Sequence, residues 1–350
     1  MWLFKQGRTM TAIRLIPALA LSLILTGCAS APNPEPPAQE SSAQLVTKAQ
    51  AAVQRRQLDD ALAYYLKALE QTPGDAEILM QIGEVQTQLG HSDYALMAFT
   101  DVLTQQPDNV QALTSLGLHK LSAGDNPQAL IYLQKAADLD QMRLLTLSQQ
   151  VIVGDSTPLH PLDDTSPLRC YNALGILKDL GGNYPEAREY YRLVLDRAPD
   201  AANVLTNIGY SYYLDGNLRQ AEINLRQAVQ KQPDFKRAWN NLGLVYARMK
   251  HYKRALVALK RVMPEADALN DLGYFAMLEG RYQDAQELFW RAIDASPTYF
   301  AKAQDNLEKL SELQGKATAA THHYRPVSLL MEANYKAEIS ADQAPSPTKQ

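Results

Sequence analysis

Small and large apolar side chains alternate along this chain with a short helical spacing that recurs at a longer, regular interval. A Gly or Ala is followed twelve positions later by Ala at Ala49 and Ala61, Gly83 and Ala95, Gly117 and Ala129, Gly175 and Ala187, Gly209 and Ala221, Gly243 and Ala255, and Gly273 and Ala285. Four residues past each of these alanines stands a large side chain: Tyr65, Phe99, Leu133, Tyr191, Leu225, Leu259 and Phe289. Seven past it stands a smaller one: Ala68, Val102, Ala136, Val194, Ala228, Val262 and Ala292. Steps of four and three fall on one helical face. A proline then recurs at Pro73, Pro107, Pro199, Pro233 and Pro297, and a residue with no N–H and a clashing ring ends the second helix. The pattern predicts an all-α chain of about seven helix-turn-helix units. Gly or Ala lets the two helices of a unit cross closely, and the apolar face left over packs on the next unit.

Departures from the period shape the organisation. Successive glycines stand 34 apart from Gly83 to Gly117 and from Gly175 through Gly209 to Gly243, but 58 apart from Gly117 to Gly175. The array is therefore three units (42–75, 76–109, 110–143), an insert (144–167) and four units (168–201, 202–235, 236–265, 266–299). The third unit has Gln141 in place of the proline, so its second helix is expected to run on through Leu147. The insert that follows, from Val151 to the proline-rich stretch ending at Pro167, reads as a loop or short extended segment. The sixth unit is four residues short, since Gly243 to Gly273 is 30, and Met263-Pro264 is expected to clip its second helix. The first unit carries Lys48-Ala49 where a Leu-Gly pair is expected, as suits an end that packs on one side only. Residues 300–317 place Phe300, Ala303, Leu307, Leu310 and Leu313 near helical spacing and suit a capping helix. Residues 318–350 mix apolar groups with proline and charge and are expected to be mostly disordered, with Val327 to Asn334 as a short segment able to dock.

The first 27 residues follow a different logic. Lys5, Arg8 and Arg14 precede the apolar run Leu15–Leu25, the charged and hydrophobic regions of an export signal, and Met10 is an alternative start to Met1. The run is about half of the roughly 20 residues a transmembrane helix needs. It ends in Leu25-Thr26-Gly27-Cys28, which resembles the bacterial lipobox. That resemblance implies a diacylglyceryl group on Cys28 as the first mature residue and, with Ala29 rather than Asp after it, sorting to the periplasmic face of the outer membrane. A soluble secreted protein with a chance cysteine is the alternative. Residues 28–41, rich in proline, read as an extended tether.

Charge and cysteine count narrow the chemistry. The chain has 34 Lys and Arg against 38 Asp and Glu. Loss of the three cations of the signal leaves 31 against 38, a formal net charge of −7. A nucleic-acid partner is disfavoured, because phosphate binding needs a basic surface. With Cys28 acylated, Cys170 is the one remaining thiol, so no intramolecular disulfide forms and stability rests on packing. Cys170 reads as a buried small residue, with cross-linking or redox chemistry as the alternative. The six histidines, at 91, 119, 160, 251, 322 and 323, are scattered and form no metal-ligand cluster; His322 and His323 alone are neighbours, in the tail. No phosphate loop, Gly-x-Ser-x-Gly elbow or Gly-x-Gly-x-x-Gly occurs, and the repeats leave no room for a catalytic domain. Neither an enzyme nor a cofactor beyond the lipid on Cys28 is expected.

The repeat resembles the tetratricopeptide (TPR) family. The fullest matches are Trp239-Asn-Asn-Leu242-Gly243-Leu-Val-Tyr246 with Ala255 and Leu259, and Leu205-Thr-Asn-Ile208-Gly209-Tyr-Ser-Tyr212 with Ala221 and Pro233. The resemblance covers residues 42 to about 299. It implies a superhelical solenoid whose first helices line a concave protein-binding groove, for which the candidates are Asn172, Ile176, Thr206, Tyr210, Tyr213, Asn240, Leu244, Asn270, Tyr274 and Met277. Tyrosine and asparagine suit contact with peptide backbones. Asn207, Asn241 and Asp271 fall where the family carries a structural asparagine. The asparagines of the chaperone-binding two-carboxylate clamp are replaced here by Ile176, Tyr210, Leu244 and Tyr274.

Lipobox and TPR array together resemble the tight-adherence (Tad/Flp) pilus assembly lipoproteins of the TadD family and, in role, type IV pilus pilotins. The resemblance implies a non-enzymatic assembly factor for a pilus or secretion system, with an outer-membrane secretin or pilus-assembly components among its partners. A general envelope adaptor recruiting proteases or peptidoglycan enzymes is the other reading. The split array and the long tail depart from the compact form of those families.

Overall fold

The computed structural model describes residues 40–148 and 159–317. The export signal, most of the tether, the middle of the insert and the tail with its 327–334 segment lie outside the described residues. Among the described residues there are fifteen α-helices and no strand. They pair in order: α1 (Ser42–Gln54) with α2 (Leu58–Gln71), α3 (Ala76–Gln88) with α4 (Ser92–Gln105), and α5 (Val110–Ser122) with α6 (Asn126–Ser148). After the insert α7 (Leu168–Leu180) pairs with α8 (Tyr184–Arg197), and α9 (Ala202–Leu214) with α10 (Leu218–Lys231). Then α11 (Lys236–Arg248) pairs with α12 (Tyr252–Leu259), α13 (Glu265–Leu278) with α14 (Tyr282–Asp294), and α15 (Ala301–Ala317) packs against α13 and α14.

Local chemistry sets the ends of these helices. Ser41 and Gln44 close a capping box on α1, and Asp75 and Asn109 accept from backbone N–H groups in the first turns of α3 and α5, each satisfying donors that the helix cannot. The turn inside each of the seven hairpins passes through a residue with positive φ. Glycine fills five of these positions, while Arg56 (φ 58°) and Lys250 (φ 61°) fill the other two at some steric cost. Gln141, lacking proline's constraint, lets α6 continue to Ser148. Pro264 stands immediately before α13; a proline restricts the residue before it to extended backbone, and α12 stops after 8 residues.

The core is a file of side chains at the helix crossings. Tyr65, Phe99, Leu133, Tyr191, Leu225 and Phe289 are all fully buried, the last five each against the glycine of its partner helix. One continuous cluster runs from Leu113 to Leu310. The break in the sequence period is therefore not a break in packing: α7 docks on α5 and α6, with the Cys170 thiol donating to the Leu133 carbonyl at 3.1 Å.

Candidate functional site

First helices of successive hairpins touch one another: α5 with α7, α7 with α9, α9 with α11, α11 with α13, and α13 with α15. Among the described residues no two second helices meet as extensively. The first helices thus form the inner wall of the curve and the second helices the outer one.

Close stacking on the inner wall buries most of the sequence-predicted groove residues. Asn172, Ile176, Thr206, Tyr210, Tyr213, Asn270 and Met277 are buried, Asn240 and Leu244 are half-buried, and Tyr274 is exposed. The buried polar members are engaged with neighbouring helices. Asn207 Nδ2 donates to Asn172 Oδ1 at 2.9 Å, and Arg237 donates to Asn207 Oδ1 at 2.8 Å and to the Asn203 carbonyl at 3.2 Å. This chain of bonds ties α7, α9 and α11 together. The same pairing recurs at the C-terminal end, where Asn306 Nδ2 donates to Asn270 Oδ1 at 2.9 Å. The Thr206 hydroxyl donates back to the Ala202 carbonyl. Tyr210 and Tyr213 stack with ring centroids 5.7 Å apart, and the Arg248 guanidinium lies 5.0 Å from the Tyr213 ring centre. Burial pushes the Tyr213 phenol up to about 12, so it stays a neutral packing group.

What remains open on the inner wall is chemically mixed. Tyr274, Leu244 and Asn240 lie near one another in sequence register on α11 and α13, and the Asn240 side-chain oxygen is buried with no hydrogen-bond partner in the protein, a group that a bound peptide N–H would satisfy. Lys302 of α15 pairs with Asp267 of α13 at 3.3 Å. In the first half of the array Glu84, whose side chain reaches solvent, has its carboxyl raised by desolvation and partly lowered again by Arg169. His119, bonded to the Thr87 hydroxyl at 2.9 Å, is lowered by burial and then by Arg169. The inner wall offers hydrogen bonds, an aromatic ring and charges of both signs. Among the described residues no group of His, Cys, Asp and Glu is placed to hold a metal ion, and no helix is long and apolar enough to cross a membrane.

The junction of the two blocks is a second polar centre that the sequence pattern did not single out. Arg143 on the extended α6 bonds Asp140 Oδ1 at 2.6 Å and grips Asp163 with two bonds at 2.7 and 2.8 Å. Gln141 exchanges bonds with the backbone of His160 and donates to the Tyr171 hydroxyl at 2.9 Å, and Tyr171 donates to Asp140 Oδ2 at 2.9 Å. The returning end of the insert is thereby stapled to α6, and α6 to α7. The signal was the substitution of Gln141 for proline, but nothing local said what its amide would hold. Cys170, beside this centre, is fully buried, and burial pushes its thiol well above the ordinary range.

Comparison with known proteins agrees with this geometry. The tetratricopeptide repeat model matches residues 46–95, 87–141, 172–223, 206–261 and 250–300, which together exceed half of the chain. A segment of 83 residues is 37% identical to the Protein CTR9 homolog of Arabidopsis thaliana, covering 23% of this chain and 8% of that protein's length. The crystal structure of a tetratricopeptide repeat protein from Parabacteroides merdae aligns with TM-score 0.51 at 16% identity, over 78% of this chain and all of that one. PilW, described as a widely conserved type IV pilus biogenesis factor, aligns with TM-score 0.46 at 18% identity, over 77% of this chain and all of that one. The likeness to the Parabacteroides merdae protein speaks to the fold alone. The chain belongs to the tetratricopeptide repeat family.

Proposed function

We propose that this protein is a non-enzymatic protein-binding scaffold, held by lipid on Cys28 at the periplasmic face of the outer membrane, and that it serves as an assembly factor for a pilus or secretion system. The observation that carries the reading is a pairing: Leu25-Thr26-Gly27-Cys28 closes a charged and then apolar leader, and the described chain beyond it is consumed by hairpins with an open, chemically mixed inner wall. Several acyl chains bury enough methylenes to hold a protein firmly at a bilayer. An array of this kind supplies extended surface rather than the enclosed pocket an enzyme needs. The partners that fit are envelope proteins, an outer-membrane secretin or pilus-assembly components first among them.

The test is a pull-down from detergent-solubilised envelopes with the acylated protein, beside a Cys28→Ala form and a Tyr274→Arg form, with bound proteins identified by mass spectrometry. The reading expects a secretin or pilus-assembly proteins on the acylated protein, fewer on Tyr274→Arg, and mislocalisation of Cys28→Ala to the soluble periplasm. Recovery of proteases or peptidoglycan hydrolases without a secretin would assign the scaffold to general envelope recruitment instead.

A further inference from the structure

The sixth hairpin departs from the others by deletion. Its second helix, α12, has 8 residues where α2, α4, α8 and α10 have 14. Val229 near the end of α10 lies as far beyond Ala221 as Met263 lies beyond Ala255, but α12 has already ended at Leu259. A cavity of about 560 Å³ opens between α10 and α12 above α11. Its lining is mainly apolar, with Val229, Leu242 and Ala258 buried and Val257 62% exposed.

The surroundings of the cavity are basic in an acidic protein. Between Phe235 and Pro264 the sequence has eight Lys and Arg and no Asp or Glu, whereas the whole chain has a formal net charge of −4. Arg226, Lys253 and Arg254 line the opening, and the Arg261 guanidinium lies 5.7 Å from the Trp239 ring centre. One acid reaches this edge, Glu222, and it is already taken up by Arg254 at 2.6 Å, Arg226 at 3.9 Å and the Tyr246 hydroxyl at 3.1 Å. Lys253 remains exposed beside the pocket. Trp239, Leu242 and Tyr246, which face this cavity, lie on roughly the opposite side of α11 from Asn240 and Leu244 at 100° per residue. This is a surface separate from the inner wall.

We propose that the groove between α10 and α12 is a second docking site, which takes an acidic segment of a partner protein by seating one large apolar side chain over Val229, Leu242 and Val257. The basic rim steers and orients a segment of opposite charge, while the pocket supplies a desolvated anchor point. A protein segment fits better than a nucleic acid because both aromatic rings at the cavity already carry a guanidinium, Arg261 at 5.7 Å from the Trp239 ring centre and Arg254 at 4.1 Å from that of Tyr246, whereas a base needs an open ring face on which to stack. The inference does not depend on the outer-membrane reading.

The experiment selects random peptides by phage display on the full-length Cys28→Ala protein, with counter-selection on Val257→Asp and on Lys253→Glu. Both replaced side chains are exposed, and thermal melts establish that the variants are folded. The expected result is a consensus of Asp and Glu flanking a Leu, Phe or Trp. A synthetic consensus peptide should bind at least about tenfold more weakly to either variant, with affinity falling as salt rises. A consensus without acids, or binding untouched by Val257→Asp, overturns the proposal. So does an oligonucleotide or a phosphatidylglycerol vesicle that binds through Lys253 where acidic peptides fail, and so does a dimer in sedimentation that Val257→Asp dissociates.

Discussion

A methyl group added at Gly175 would meet Cε1 of Tyr191 at 2.4 Å, and the ring cannot retreat easily because the Tyr191 hydroxyl donates to Asp179 Oδ2 at 2.8 Å inside the same hairpin. The crossing of α7 and α8 is thus fixed by a glycine on one side and a tethered ring on the other. Gly175→Ala trades about 1 kcal/mol of helix propensity against overpacking of about 1–3 kcal/mol, and the tether places it toward the upper end. A net loss of about 1–2 kcal/mol is expected in urea melts. Gly181→Ala, where an added methyl meets only backbone carbonyl oxygens at 3.5 Å, should be neutral or slightly stabilising. Equal effects at the two sites would show that the crossing is not tight.

That crossing was legible in the sequence because it rests on local spacing: small residue, alanine and large residue at fixed intervals imply one helix pressed on another. The clipped α12 and the extended α6 were legible for the same reason, through Pro264 and Gln141. The exposure of the inner wall was not. Whether Asn172 or Asn270 faces solvent depends on how closely successive first helices approach, a property of side chains about 35 positions away such as Asn207 and Asn306. Asn207 was read as structural and is buried in that bonding chain, but its partner Asn172 was read as groove. The basic island around α12 was visible in the composition of a single repeat and was hidden by the net charge of the whole.

At the junction, Arg143 holds the Asp163 carboxyl well below the usual carboxylate range through paired hydrogen bonds, with Thr165 and Ser166 adding to the effect. The folded state therefore binds its proton less readily than the unfolded chain. The contribution of this group is fully present above the unfolded value of about 4 and is lost as pH falls below it toward the folded value. Thermal melts of Asp163→Asn should lie below wild type at neutral pH and converge with it in strong acid. Parallel curves across that range would mean that the contact with Arg143 is not formed in solution.

Cys170 is sealed within the core, donates to the Leu133 carbonyl, and has its thiol raised by burial. Since the thiolate is the reactive species, the Cys28→Ala protein, with Cys170 as its single thiol, should resist a maleimide or Ellman's reagent under native conditions. Labelling should proceed only at the rate of opening, accelerate in urea, and yield no disulfide-linked dimer on a non-reducing gel. Rapid stoichiometric labelling of the folded protein would contradict the burial and reopen a redox or cross-linking role.

The terminal helix provides a test of what the recurrent asparagine pairs do. Ala303 and Leu310 bury one face of α15, but the Asn306–Asn270 bond at 2.9 Å fixes its position on α13. Asn270→Leu leaves the buried Asn306 amide without that acceptor, and a stranded buried donor costs about 1–3 kcal/mol. Because α15 packs chiefly against the last hairpin, the loss should appear first as faster hydrogen exchange in residues 301–317, ahead of any change in the middle of the array. Replacing both partners, as Asn270→Leu with Asn306→Leu, removes the stranded donor and should recover much of the protection, giving a coupling energy of opposite sign to the single losses. If the pair merely fills space, the double variant will show the sum of the two single effects and no recovery, and the register of the cap must then be set by its apolar face alone.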